Sequence, residues 1–140
     1  MHYDASIEAL LRERFPADSL IALATAVDGL PSVRTVDAYY ADGAFHIVTH
    51  AKSGKMQQIA LNPSVGVCGD WFTGHGMAES LGHVLKPENA ALMDRIRSAF
   101  AGWYSNGHVN EADPDTILLR IRLTDGVLFR SGTRYEIEFT

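Results

Sequence analysis

The 140-residue sequence predicts a mainly β (α+β) protein: a six- to seven-stranded antiparallel barrel with flanking helices. Two observations carry this. Asp28-Gly29, Asp42-Gly43 and Asp125-Gly126 each interrupt apolar or alternating runs, and Asp-Gly is a strong hairpin signal. One amphipathic stretch, 87–104, breaks those runs with helical rather than strand periodicity. Strands joined by a tight turn must be antiparallel, so a doubly wound parallel sheet does not fit.

Each element has its own reason. Residues 5–14 predict a short helix, with Asp4 as cap and Ile7, Leu10, Leu11 and Phe15 as its apolar stripe. Pro16 ends it, having no N–H for the helical ladder. Residues 20–27 form a nearly continuous apolar run, expected as a buried strand. Residues 32–41 and 44–49 follow as strands two and three, hinged at Asp42-Gly43. A short helix is expected over 53–61, stopped by Asn62-Pro63. Residues 65–72 give strand four and 76–85 strand five, the latter with weak alternation. In 87–104, Leu92, Ile96, Ala99, Phe100 and Trp103 share one helical face, with Asp94, Arg95 and Arg97 off it. Residues 116–124 alternate, with Ile117, Leu119, Ile121 and Leu123 opposite Arg120 and Arg122. Asp125-Gly126 is expected to turn the chain into a last strand, 134–140.

Composition narrows the function classes. The chain fits a single domain, 1–140. Its 12 basic and 17 acidic side chains give a net charge of −5, which argues against a general nucleic-acid or acidic-membrane binder. Cys68 is the sole cysteine, so an internal disulfide and a thiolate zinc cluster are both excluded. It sits in the run Val65-Gly66-Val67-Cys68 and is expected to be a buried core thiol. Met1-His2-Tyr3-Asp4 does not open like a secretory signal, and no apolar run is long enough to span a bilayer as a helix. A cytoplasmic location is the expectation.

Three positions could converge on one anion. Arg34 lies on strand two, strand three delivers Thr49, and Ser53-Gly54-Lys55 opens the next helix. Ser53 suits an N-cap, and free amides with two cations would make a phosphate site. The plain alternative is that these are solvated charges and a simple cap.

Other motifs fail on inspection. Residues 51–56 superficially resemble a P-loop, but Thr49 stands in place of the first glycine and Met56 in place of the magnesium-binding hydroxyl. Gly74-His75-Gly76 lacks a third glycine, since Glu79 occupies its place. The six histidines show no His-Glu-x-x-His spacing and are expected to be dispersed at the surface, with no metal site. No Gly-x-Ser-x-Gly elbow supports a hydrolase.

The sequence resembles the pyridoxamine 5'-phosphate oxidase-like FMN-binding family. The likeness rests on Ala24-Thr25, then Gly29-x-Pro31-x-Val33-Arg34-Thr35-Val36, Val48-Thr49, Ser53-Gly54-Lys55, Gln58 and Asn62-Pro63. It extends to the closing Leu118-Leu119-Arg120-Ile121 and Tyr135-Glu136, and small stress-type members look most similar. The resemblance implies a split barrel that forms a homodimer with FMN between subunits. It implies that Arg34 and Lys55 bind the FMN phosphate with help from Ser53. It further implies that Thr35 and Val36 line the flavin and that Val48 and Thr49 lie along its ring or ribityl edge.

Departures from the oxidase pattern shape the functional reading. Tyr39 stands where the oxidase has a substrate-phosphate lysine, Gly54 replaces an arginine, and Met77 replaces a flavin-contacting glutamine. The aromatic-and-arginine C-terminal ending is absent as well. The resemblance thus implies an FMN-dependent oxidoreductase of unknown substrate rather than a pyridoxine phosphate oxidase. The alternatives are a non-catalytic flavin-binding stress or sensor protein, or the same fold holding deazaflavin or haem. His50 or His75 would be the ligand to consider for haem. No side chain is singled out as a catalytic acid or base.

Overall fold

In the computed structural model, which describes residues 1–140, helix α1 (Ala5–Arg14) leads into β1 (Asp18–Val27), β2 (Leu30–Ala41) and β3 (Ala44–His50). Helix α2 (Gly54–Leu61), β4 (Ser64–Gly69) and β5 (Phe72–His83) follow. A 3-10 turn (Pro87–Asn89) then opens helix α3 (Ala90–Ala99), and a π-turn (Tyr104–His108) precedes β6 (Thr116–Arg130) and β7 (Thr133–Glu138). The strand order is β3-β2-β1-β4-β5-β6-β7. Pairing of β3 with β6 closes six strands into a barrel and leaves β7 as an extra strand along the end of β6. Every pairing between strands is antiparallel, as the sequence predicts.

Two of the Asp-Gly turns form as expected. Asp28 and Gly29 have φ of 52° and 79°, and Asp42 and Gly43 have 53° and 76°. Consecutive left-handed residues match the right-handed twist of the flanking strands. The third Asp-Gly does not turn. Asp125 and Gly126 lie inside the continuous strand β6, and the reversal comes at Ser131-Gly132, with φ of 51° and 78°. Gly126 is there for space: a Cβ on it would meet the Phe72 ring at 2.7 Å.

Strands four and five also differ from expectation. The reversal comes at Asp70-Trp71, with Trp71 at φ 50°, so Trp71 is a turn residue and β5 begins at Phe72. Gly74 and Gly76 hid the start of β5. Their added Cβ atoms would stand 2.6 Å from the Asp125 carbonyl and 2.8 Å from the Arg122 carbonyl, so close strand approach requires glycine at both. Cys68 is exposed rather than buried, because it pairs with Ala22 on the outer face of the sheet. His46 is buried rather than at the surface. The stretch 87–104 is helical only in its first part; α3 ends at Ala99.

The barrel interior takes alternate residues, among them Ile21, Leu23, Phe45, Ile47, Leu119 and Ile121, with Leu11 and Phe15 of the α1 segment sealing one end. A second cluster lies outside the barrel, where α3 places Met93, Ile96 and Phe100 against Leu118. Leu118 is therefore buried although it shares a face with Arg120 and Arg122.

One feature of the register positions the site. β2 pairs with β1 along ten residues but with β3 along only three, from Tyr39↔His46 to Ala41↔Ala44. Beyond that point β3 continues along β6, and β2 continues along β1. The two strands part, and the barrel wall is split between them. No helix is long and apolar enough to cross a membrane.

Candidate functional site

The split gathers polar groups from four elements. Arg34 stands on β2 opposite Leu23, on the inward face. Its guanidinium donates to the Thr25 hydroxyl at 2.9 Å, to the Leu23 carbonyl at 3.3 Å and to Gln58 Oε1 at 2.5 Å. Thr25 in turn donates to Gln58 Oε1 at 2.6 Å. Gln58 lies on α2 one turn after Lys55, whose Nζ donates to Thr49 Oγ1 at 2.8 Å. Thr49 sits at the end of β3, where that strand has left β2. Hydrogen bonds link Arg34 to Gln58 and Lys55 to Thr49 across the split, and Ser53 precedes α2.

Ser53 behaves differently from a simple cap. Its backbone occupies the position before α2, yet its side chain makes no capping hydrogen bond. Its Oγ is buried and has no hydrogen-bond partner at all. A buried hydroxyl left unpaired costs about 1–3 kcal/mol, so Ser53, two residues before Lys55, has a donor to spare.

The charges point the same way. Of the 12 lysines and arginines, eight reach a carboxylate. Arg34 and Lys55 reach none, and they face each other. Burial holds the Lys55 ammonium below its usual pKa, and the neighbouring Arg34 charge adds to the effect. Two half-buried cations without a counter-ion can attract an anion by Coulomb force and by their unused donors.

Beside them lies a cleft of about 330 Å³, walled by Val36, Ile47, Val48, Trp103 and Val109 and reached by Lys55. Thr35 is not among its lining residues, and its side chain is exposed. Asp37, Trp103 and His108 are cleft residues that the sequence analysis missed. Asp37 is pushed up to about 6 by burial and by Asp18, which shares a hydrogen bond with it and repels its charge. Trp103 Nε1 donates to Asp18 at 2.8 Å, tying the turn after α3 to this pair. Only tertiary pairing brings these groups together, so no local spacing announces them.

The two histidines weighed for haem lie elsewhere. His50 Nδ1 accepts from the Lys52 amide, so Nε2 carries the proton toward Asp113 at 3.3 Å. Asp115 is close by but pairs with Lys52 at 3.4 Å, and the cluster reads as an ion-pair network. His75 pairs with Asp125 at 2.9 Å on the outer face. The imidazole at the cleft is His108.

A family model described as pyridoxamine 5'-phosphate oxidase matches residues 7–128, which take in β1 to β5 and β6 as far as Leu128. The chain belongs to the pyridoxamine 5'-phosphate oxidase family. Solved structures share the fold at low sequence identity. General stress protein 26 from Bacillus anthracis superposes with a TM-score of 0.70 at 15% identity, over 93% of this chain and 98% of that one. A FAD-binding protein from Mesorhizobium loti gives 0.66 at 18%, over 89% and 92%. A heme binding protein from Mycobacterium smegmatis gives 0.69 at 16%, over 97% of this chain and 59% of that one. No curated protein matches the chain.

Proposed function

We propose that this member of the pyridoxamine 5'-phosphate oxidase family binds FMN in the split between β2 and β3 and acts as a flavin-dependent oxidoreductase. The observation that carries the reading is the uncompensated pair Arg34 and Lys55 beside the orphaned Ser53 hydroxyl. A phosphate there would neutralise both cations and accept from Ser53. Val36, Val48 and Thr49 would flank the ring and ribityl chain, and Thr35 would contribute its backbone. When bound, the flavin supplies hydride or electron transfer, which no side chain in the cleft offers. The residues supply position and environment: the apolar walls exclude water, and Asp37, titrating near 6, can hold or release a proton at its carboxyl oxygen.

The proposal includes a homodimer. The outer face of β1, β2, β5 and β6 exposes Leu20, Val33, Met77 and Phe129, and Trp71 at the β4–β5 turn extends it. Leu20 and Val33 are 65% and 69% exposed. Exposed apolar side chains of this kind suit contact with a second copy of the chain, and Thr35 stands on the same outer face of β2 as Val33.

A second reading has one observation behind it. A structural neighbour is a heme binding protein, and His108 lines the cleft of this chain. The absorbance spectrum of the purified protein separates the readings. The FMN proposal expects a yellow protein whose released chromophore has the mass of FMN. A Soret band, deazaflavin absorption at shorter wavelength, or failure to take up added FMN would overturn it.

A further inference from the structure

A second basic cavity stands apart from the split, outside the barrel. It has a volume of about 290 Å³ and lies between α3 and the outer faces of β3 and β6. Arg95 enters it from α3, and Arg120 and Arg122 enter it from β6. The sequence places Arg95 off the apolar face of this helix, and β6 brings two further guanidiniums to it.

The charges in this cavity are unbalanced. Arg120 and Arg122 share one carboxylate, Glu79, at 3.8 and 3.4 Å. Arg95 forms no ion pair and no hydrogen bond in the structure, whereas Arg97 on the same helix is held by Glu111 and Asp94. Arg14, also without a carboxylate, spends its donors on three backbone carbonyls. Of the rim carboxylates, Asp42 shares Arg12 with Glu8, and Glu88 lies 3.8 Å from Lys86.

His46 completes the arrangement. It is buried at the base of the cavity, and its Nδ1–H donates to the Tyr39 carbonyl at 3.1 Å. That leaves Nε2 as an acceptor, and Arg120 Nε donates to it at 3.4 Å. Burial, with Arg120 and Arg95 nearby, keeps this imidazole neutral by lowering its pKa to about 4. A carboxylate in this position would fix Arg120 and also cancel its charge. A neutral imidazole fixes the guanidinium and leaves the charge for something else.

We propose that Arg95, Arg120 and Arg122, with Arg120 oriented by His46, form a binding site for a small divalent oxyanion, a phosphate monoester or a dicarboxylate, separate from the split. The cavity has room for a metabolite of a few carbons around that anion. Its ligand docks through bidentate guanidinium contacts, the geometry that favours arginine over lysine.

Isothermal titration of the full-length protein with inorganic phosphate and, separately, succinate, at constant ionic strength, tests the site. The two probes distinguish a phosphate from a dicarboxylate ligand. At least one should bind saturably to the wild type. Arg95→Gln and Arg122→Gln should each weaken that binding about tenfold or more, as expected for loss of one charge-assisted contact. Arg134→Gln, on β7, should change it less than about twofold. In a Lys55→Ala background, which removes phosphate binding in the split, the remaining binding should persist and should still be weakened by Arg95→Gln and Arg122→Gln. Unchanged thermal midpoints would show that the variants remain folded. The proposal is overturned if neither probe binds saturably, if Arg95→Gln and Arg122→Gln bind as the wild type does, or if Lys55→Ala abolishes binding.

Discussion

The hairpin of β2 and β3 has two ends, and the protein treats them in opposite ways. At the Asp42-Gly43 turn the strands are paired, and α1 covers them. Glu8 from α1 accepts hydrogen bonds from Tyr40 and Tyr3 at 2.5 and 2.8 Å, from Arg12 at 2.6 Å and from the Asp42 amide at 2.9 Å. Burial raises the Glu8 pKa, but the hydrogen bonds from Tyr40 and its neighbours outweigh it and hold the carboxyl below its usual value. At the other end the strands part, and Arg34, Lys55 and Ser53 are left with an excess of charge and an empty donor. The first end is complete without a ligand and serves stability. The second carries two unpaired cations and a hydroxyl without a partner, which is why the proposed cofactor is placed there.

The largest expected effect breaks the complete end. Glu8→Ala strands the Tyr40 hydroxyl in the core and should cost about 3 kcal/mol in urea unfolding at pH 7. The linkage sign follows from the lowered carboxyl. Glu8 stabilises the fold above its unfolded pKa, about 4.3, and that contribution is lost as pH falls through the lower folded value. The gap between wild type and variant should therefore narrow in acid. An equal gap at low pH would show that packing, and not the charged network, matters there.

A substitution at the incomplete end should have the opposite sign. Lys55→Met removes a cation whose charged form is disfavoured by burial and by Arg34. It should raise the stability of the ligand-free protein at pH 7 by up to about 1 kcal/mol, allowing for partial solvation. That gain should fade as pH rises through the lowered folded pKa of the lysine toward its unfolded value. The same variant should lose affinity for the cofactor. Loss of both stability and affinity would mean that Lys55 is structural.

The smallest effect concerns Asp37. Its pKa is raised to about 6, so the folded state binds a proton that the unfolded chain has released. Stability from this group is present at pH below about 3.8 and is lost as pH rises through about 6. Asp37→Asn should therefore stabilise the protein by under about 1 kcal/mol at pH 7–8 and be neutral in acid, as thermal unfolding across pH would show.

Much of this contrast was legible in the sequence, and the rest was hidden for physical reasons. Asp28-Gly29 and Asp42-Gly43 announced their hairpins because consecutive left-handed residues favour that pair. Asp125-Gly126 carried the same letters, but Gly126 answers to the Phe72 ring, so identical chemistry served packing instead. Arg34, Thr49, Ser53 and Lys55 could be grouped because one hairpin and one short helix connect them. Asp18 with Asp37, Trp103 and His108, or Arg95 with Arg120, come from distant segments, and strand pairing and helix docking alone bring them together. His46 looked like any strand histidine; its burial and its contact with Arg120 come only from the tertiary fold.

The phosphate of FMN is the proposed occupant of the end where β2 and β3 part. Fluorescence titration of FMN and of riboflavin, which lacks the phosphate, against wild type, Arg34→Ala and Lys55→Ala tests that assignment most directly. Each substitution should weaken FMN binding about tenfold to a hundredfold, the loss of one charge-assisted hydrogen bond. Riboflavin should bind the wild type weakly and be almost indifferent to both changes. Wild-type FMN affinity in the two variants, or an equal loss for riboflavin and FMN, would contradict the account.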